Sequence, residues 1–102
     1  MLEPAPDEGF DRELMRIVDR LRTMPLERLE SIQPQVRELA LALIALARDF
    51  GDPAPTALPA FSARASADVV MVLGSDVRAC ARSDEQLESA AHCLTQARRA
   101  LP

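Results

Sequence analysis

The stretch Asp68-Val69-Val70-Met71-Val72-Leu73-Gly74-Ser75-Asp76 decides how this chain folds. Its density of β-branched residues and its Gly-Ser-Asp ending read locally as a buried strand entering a turn. A lone strand leaves its backbone N–H and C=O groups without partners, and no second strand candidate exists elsewhere in the sequence. As a helix, the same residues place Ala65, Val69, Leu73, Val77 and Cys80 on one face and Arg64, Asp68, Ser75, Arg78 and Arg82 on another. The spacing therefore predicts a helix over 62–82, with Gly74 a weak point costing about 1 kcal/mol relative to Ala.

Toward the C-terminus, Ser83-Asp84-Glu85-Gln86 is a capping box. The Ser hydroxyl accepts from the amide three residues on, and the Gln reaches back. It starts a last helix over 84–101, whose buried face is Leu87, Ala91, Leu94, Ala97 and Leu101, with Arg98 and Arg99 at the negative end of its dipole. The short link at Arg82–Asp84 makes the last two helices an antiparallel hairpin. In that hairpin Cys80 and Cys93 are offset along the axis by ~9 Å, beyond the ~7 Å Cα limit of a disulfide, so two free, mostly buried thiols are expected.

Toward the N-terminus, residues 51–60 form a proline-rich connector, stiff and extended, with Pro53, Pro55 and Pro59. Ten extended residues reach at most ~33 Å, while the helix before them is ~25 Å long, so the chain has the reach to return along that helix. The helices on either side of the connector are then free to run antiparallel or parallel. The preceding helix, 34–50, carries the seam Val36, Leu39, Leu43, Leu46 and Phe50; Leu41 and Ile44 widen its apolar arc until most of its surface is apolar. Gly51 suits the position after its end. Gln33-Pro34 predicts a break or kink after a short helical turn at 26–32. A first helix over 8–23 has Phe10, Leu14, Ile17, Leu21 and Met24 at four- and three-residue intervals and stops at Pro25. The expected fold is all-α: a four-helix bundle-like domain with a proline-rich connector between its second and third main helices.

The chain has 102 residues, enough for one domain spanning 1–102 and too few for two separate cores. Residues 1–7, acidic and bearing Pro4 and Pro6, are expected to be a disordered N-terminus. They lack the basic and apolar regions of a signal peptide, so a cytoplasmic location is expected. The longest apolar run, 39–47, lies far below the ~20 residues that cross a bilayer, so no membrane association is expected. All 12 basic residues are Arg, and Lys, Asn, Trp and Tyr are absent, a bias typical of a GC-rich genome. A formal net charge of −4, with no Trp or Tyr to stack on bases, argues against a nucleic-acid partner.

Arg12, Arg16 and Arg20 recur every four residues and make a cationic ridge able to hold a phosphate or carboxylate. Glu8 lies four residues before Arg12, Glu13 and Asp19 dilute the ridge, and a solvated helix face is the favoured reading over anion binding. Small helical mutases that bind dicarboxylates carry a similar ridge joined by Lys, which this chain lacks. His92 and Cys93 are adjacent and project about 100° apart on a helix, so they do not form a nucleophile pair. Cys80, His92, Cys93 and Asp84 show none of the short spacings of a metal site, and Glu27/Glu30 and Glu85/Glu88 lack the Glu-x-x-His of helical di-metal centres. Glycine at positions 9, 51 and 74 alone makes no phosphate loop. No catalytic residue, metal or cofactor is expected.

The run Arg20-Leu21-Arg22-Thr23-Met24-Pro25-Leu26-Glu27-Arg28-Leu29, followed by an Ala/Leu helix, a proline connector and the Asp68–Asp76 stretch, resembles short uncharacterised all-helical proteins of high-GC actinobacteria. That resemblance spans most of the chain and implies a source and a size class without an activity. The helical hairpins of type VII secretion are similar in length, but their Trp-x-Gly turn has no counterpart here. The functional expectation is a self-associating interaction or regulatory module without catalysis, a homodimer with a possible further protein partner. Its interface is drawn from Leu39, Leu41, Leu43, Ile44 and Leu46. A bundle that binds a small molecule or anion, and less so a small enzyme, are the alternatives.

Overall fold

The computed structural model describes residues 5–52 and 57–102. They form five α-helices: α1 (Pro6–Thr23), α2 (Leu26–Ser31), α3 (Gln33–Asp49), α4 (Ser66–Cys80) and α5 (Asp84–Ala100). A 3₁₀ turn at Ala63–Ala65 leads into α4. There is no strand among the described residues, and residues 69–73 are helical.

Each boundary has a local cause. Helix α1 begins at Pro6, inside the stretch expected to be disordered, because proline at the first helical position gives up no hydrogen bond and Asp7 and Glu8 favour the positive dipole end. Met24 turns extended ahead of Pro25 and ends it. Helices α2 and α3 are separated by Ile32 alone, at φ −102° and ψ 9°. Hydrogen bonds from Ile32 N to Arg28 O and from Val36 N to Ile32 O carry across the joint, so the Gln33-Pro34 signal produces a kink. At the far end of α3, Gly51 has φ 107°; its N–H donates to Arg48 O, and the Asp52 N–H donates to Ala47 O. This is a Schellman motif, and it needs a residue without a Cβ at that position. Ser83 caps α5 by accepting from the Gln86 N–H at 3.2 Å, while Gln86 Oε1 accepts from the Arg82 N–H at 2.7 Å.

Directions follow from what meets at each end. Gln33 donates to Phe61 O at 3.0 Å beside the start of α3, and near its other end Arg48 and Asp52 line a small cavity with Asp76 of α4. Helices α3 and α4 are thus parallel, and Ala57–Phe61, ahead of α4, lie beside α3. Arg78, late in α4, pairs with Asp7 and Asp11, early in α1, so those two helices are antiparallel. Helices α4 and α5 are linked as a hairpin but pack little against each other, because α1 packs against both. The resulting packed order is α5–α1–α4–α3. A groove of about 360 Å³ separates α3 from α5, so the bundle stands open on its fourth side, and it is flattened to 39 × 37 × 17 Å.

The core is continuous. Phe10, Leu14, Ile17, Val18 and Leu21 of α1 meet Val70 and Val77 of α4 and Leu87, Ala90 and Leu94 of α5, with Ile32, Val36, Leu39, Leu43 and Ala47 on the α3 side. The face of α4 turned inward is Ser66, Ala67, Val70, Gly74 and Val77, rotated from the expected one. Gly74 sets that rotation: a Cβ built there falls 2.5 Å and 2.7 Å from the Leu14 methyls, so the missing side chain is the hollow into which Leu14 packs.

Candidate interaction surface

Rotating α4 toward α1 carries the opposite side of the helix outward. Val72 is 60% exposed, the most exposed large apolar side chain among the described residues, and Val69 and Leu73 are half-buried beside it. With Leu58, Pro59, Ala60, Phe61 and Asp68 they line an open groove of about 330 Å³ whose walls are almost wholly apolar. Leu58, Pro59 and Leu73 also wall a smaller cavity with Leu43, Ile44 and Ala47 of α3, so the apolar surface continues across the connector to that helix. Leu41, one turn before Ile44 on α3, is 43% exposed and lines neither cavity. Charges frame the surface: Asp68 and Asp76 on α4, and on α3 the exposed Arg37, whose guanidinium reaches Leu58 O at 3.5 Å.

The five leucine and isoleucine positions expected to form an interface separate into two groups. Leu39 and Leu43 are buried inside the chain itself and hold α3 in place, Leu43 on the side of α4 and Leu39 at the groove toward α5. Leu41 is exposed, while Ile44 and Leu46 are half-buried, Leu46 against the core cluster. Val69, Val72, Leu58 and Phe61 join the surface although the sequence pattern did not single them out for it. A signal for Val72 exists, since it stands four residues from both Asp68 and Asp76 and so shares their solvent-facing stripe.

The arginine ridge of α1 is not assembled over a cavity. Arg12 is exposed with no ion-pair or hydrogen-bond partner among the described residues, Arg16 pairs with Glu13 at 3.3 Å, and Arg20 donates to the main-chain oxygen of Pro102. The stronger electrostatic contact is one the helix pattern does not reveal: Glu13 accepts from Arg98 of α5 at 2.9 Å, with the carboxylate side chain only 14% exposed. Burial raises the Glu13 pKa, but the hydrogen bond and charge of Arg98, aided by Arg16 and Thr95, outweigh it and hold the carboxyl below its ordinary value.

Cys80 and Cys93 are free and half-buried. Desolvation raises both thiol pKa values, and Asp52 and Asp76 add to the effect at Cys80 against the opposing charge of Arg82, so neither is an activated nucleophile. His92 is exposed. Among the described residues no group of three or more His, Cys, Asp or Glu is placed to hold a metal ion, and no helix is long and apolar enough to cross a membrane. Compared with known proteins, the chain matches no family model, no curated sequence and no solved structure.

Proposed function

We propose that this chain is a non-catalytic interaction module that associates with itself through the face formed by α3, the connector and α4. The observation that carries this reading is the 60% exposure of Val72 on the almost wholly apolar groove between α4 and Leu58–Phe61, with Leu41 also exposed on the neighbouring α3. Contiguous apolar surface framed by charge is the usual mark of a protein contact, and two-fold homodimers are the commonest use of one. Leu39, Leu43 and Leu46 serve the contact by fixing α3 from inside, and Leu41 and Ile44 touch the partner. A regulatory role, a further protein partner and a cytoplasmic setting extend the same reading, as does a source among high-GC actinobacteria.

Native mass spectrometry of freshly purified protein, paired with sedimentation velocity of Leu41→Glu, tests it. The expected result is a dimer without added mass that Leu41→Glu disperses to folded monomers. A dimer indifferent to Leu41→Glu removes this face from the contact. A monomer carrying added mass favours the second reading, a small apolar ligand held in the open groove beside Val69 and Phe61, for which the almost wholly apolar lining is the specific support.

A further inference from the structure

We infer that the small cavity between α3, α4 and the connector is a binding site for a small amphiphilic cation, a primary ammonium group on a short hydrocarbon chain. The site is formed within one chain and does not depend on the self-association reading. Its volume is about 120 Å³. Leu43, Ile44 and Ala47 of α3, Leu58 and Pro59 of the connector and Leu73 of α4 make its apolar wall. That wall gives a water none of the roughly two to four polar partners it needs, so this part of the cavity suits a hydrocarbon chain of about four carbons.

The charged part of the lining lies toward one end. Arg48, Asp52 and Asp76 stand near the C-terminal ends of α3 and α4, and two carboxylates beside one guanidinium leave one negative charge in excess. Asp76 is exposed and has neither an ion pair nor a hydrogen bond among the described residues. Because α3 and α4 run parallel, the negative ends of both helix dipoles fall at this same end and add to the carboxylates. Cys80, the last residue of α4, senses that field: after desolvation, Asp52 and Asp76 raise its thiol pKa, and the opposing charge of Arg82 does not cancel them.

A positive charge is favoured at one end of the cavity and an apolar chain along the rest, which selects an alkylammonium over its relatives. A carboxylate of the same length brings its charge against Asp52, Asp76 and two helix C-termini, and an alcohol forgoes the attraction. Two sources share the selected chemistry: a free amine, and the lysine side chain of another protein, whose four-carbon stem ends in the same group. A second copy of this chain has no lysine to offer.

NMR titration of the ¹⁵N-labelled protein with n-butylammonium, butyrate and 1-butanol, at constant ionic strength, tests the assignment. Butylammonium is expected to saturate with a dissociation constant on the order of 1 mM, to move the amides of Ala47 and Leu73, and to bind roughly tenfold tighter than the other two. Asp76→Asn, at an exposed position, should weaken it roughly tenfold. Ala47→Leu, whose added atoms fill the cavity, should abolish it, with thermal melting to confirm that both variants fold. Nα-acetyl-lysinamide separates the sources: an affinity matching butylammonium assigns the site to a partner's lysine, and a much weaker one assigns it to a free amine. Butyrate or butanol binding as tightly as butylammonium, shifts confined to other acidic surfaces such as Glu85 and Glu88, or an affinity unmoved by Asp76→Asn overturns the assignment.

Discussion

Helix α4 has two sides built from the same residue type and put to opposite uses. On one side Val70 and Val77 are fully buried against α1 around Gly74; on the other Val72 is 60% exposed and Val69 half-buried beside the connector. Hydrophobicity does not separate them, since valine stands on both. Approach distance does: without a Cβ at Gly74, Leu14 enters the helix surface and draws α1 close, whereas the outer side meets only the short connector segment Leu58–Phe61. An apolar residue becomes core where a neighbour closes over it and contact surface where none does.

The largest effect expected from breaking that contrast is at Leu14. Leu14→Ala should lower the unfolding free energy by about 2–5 kcal/mol, because it empties a packed hollow, while Val72→Ala should move it by less than about 0.5 kcal/mol. Chemical denaturation of the two variants under conditions where the chain is monomeric measures both. Equal losses would mean that the two sides of α4 do not differ as described.

Gly74 sharpens the comparison. On an open helix surface Gly→Ala gains about 1 kcal/mol, but here the added methyl meets Leu14, and overpacking of about 1–3 kcal/mol is expected to make Gly74→Ala net destabilising. With Leu14→Ala already in place, the same substitution should become stabilising. A double-mutant cycle reads that change of sign, which no account based on helix propensity alone produces.

The smallest effect belongs to the pair joining α1 to α5. Glu13 has its pKa depressed in the folded chain, so its contribution is complete above the unfolded value of 4.5 and is lost as pH falls below that value through the folded one. Replacing Arg98 with Gln should cost about 1 kcal/mol at neutral pH and flatten the acid side of the stability profile below pH 4.5. A parallel offset of the two profiles across that range would show that the pair does not titrate with folding.

The helices themselves were legible because each carries its own signal. The seam from Phe10 to Leu21, the capping residues Ser83 and Gln86, the Gly51 terminus and the kink ahead of Pro34 all depend on contacts within about one or two turns of chain. Periodicity places the inward face of α4 on Ala65, Val69, Leu73, Val77 and Cys80, of which only Val77 is buried, because its valines and Leu73 make a broad apolar arc within which spacing does not fix a centre. Leu39 and Leu43 were grouped with Leu41 for the same reason: an arc that wide does not say which part a neighbour covers. Residues 1–4 and the connector prolines Pro53 and Pro55 lie outside the described residues.

By itself the sequence determined that this chain is helical, where most of its helices start and stop, and that α3 is apolar over most of its surface, since these properties follow from local periodicity and capping. Only the tertiary structure decided that α3 and α4 run parallel, that α1 enters between α4 and α5, and that Val72 and Leu41 remain outside. Those outcomes depend on which surfaces approach most closely, and the decisive approach, Leu14 into the hollow at Gly74, joins residues sixty positions apart.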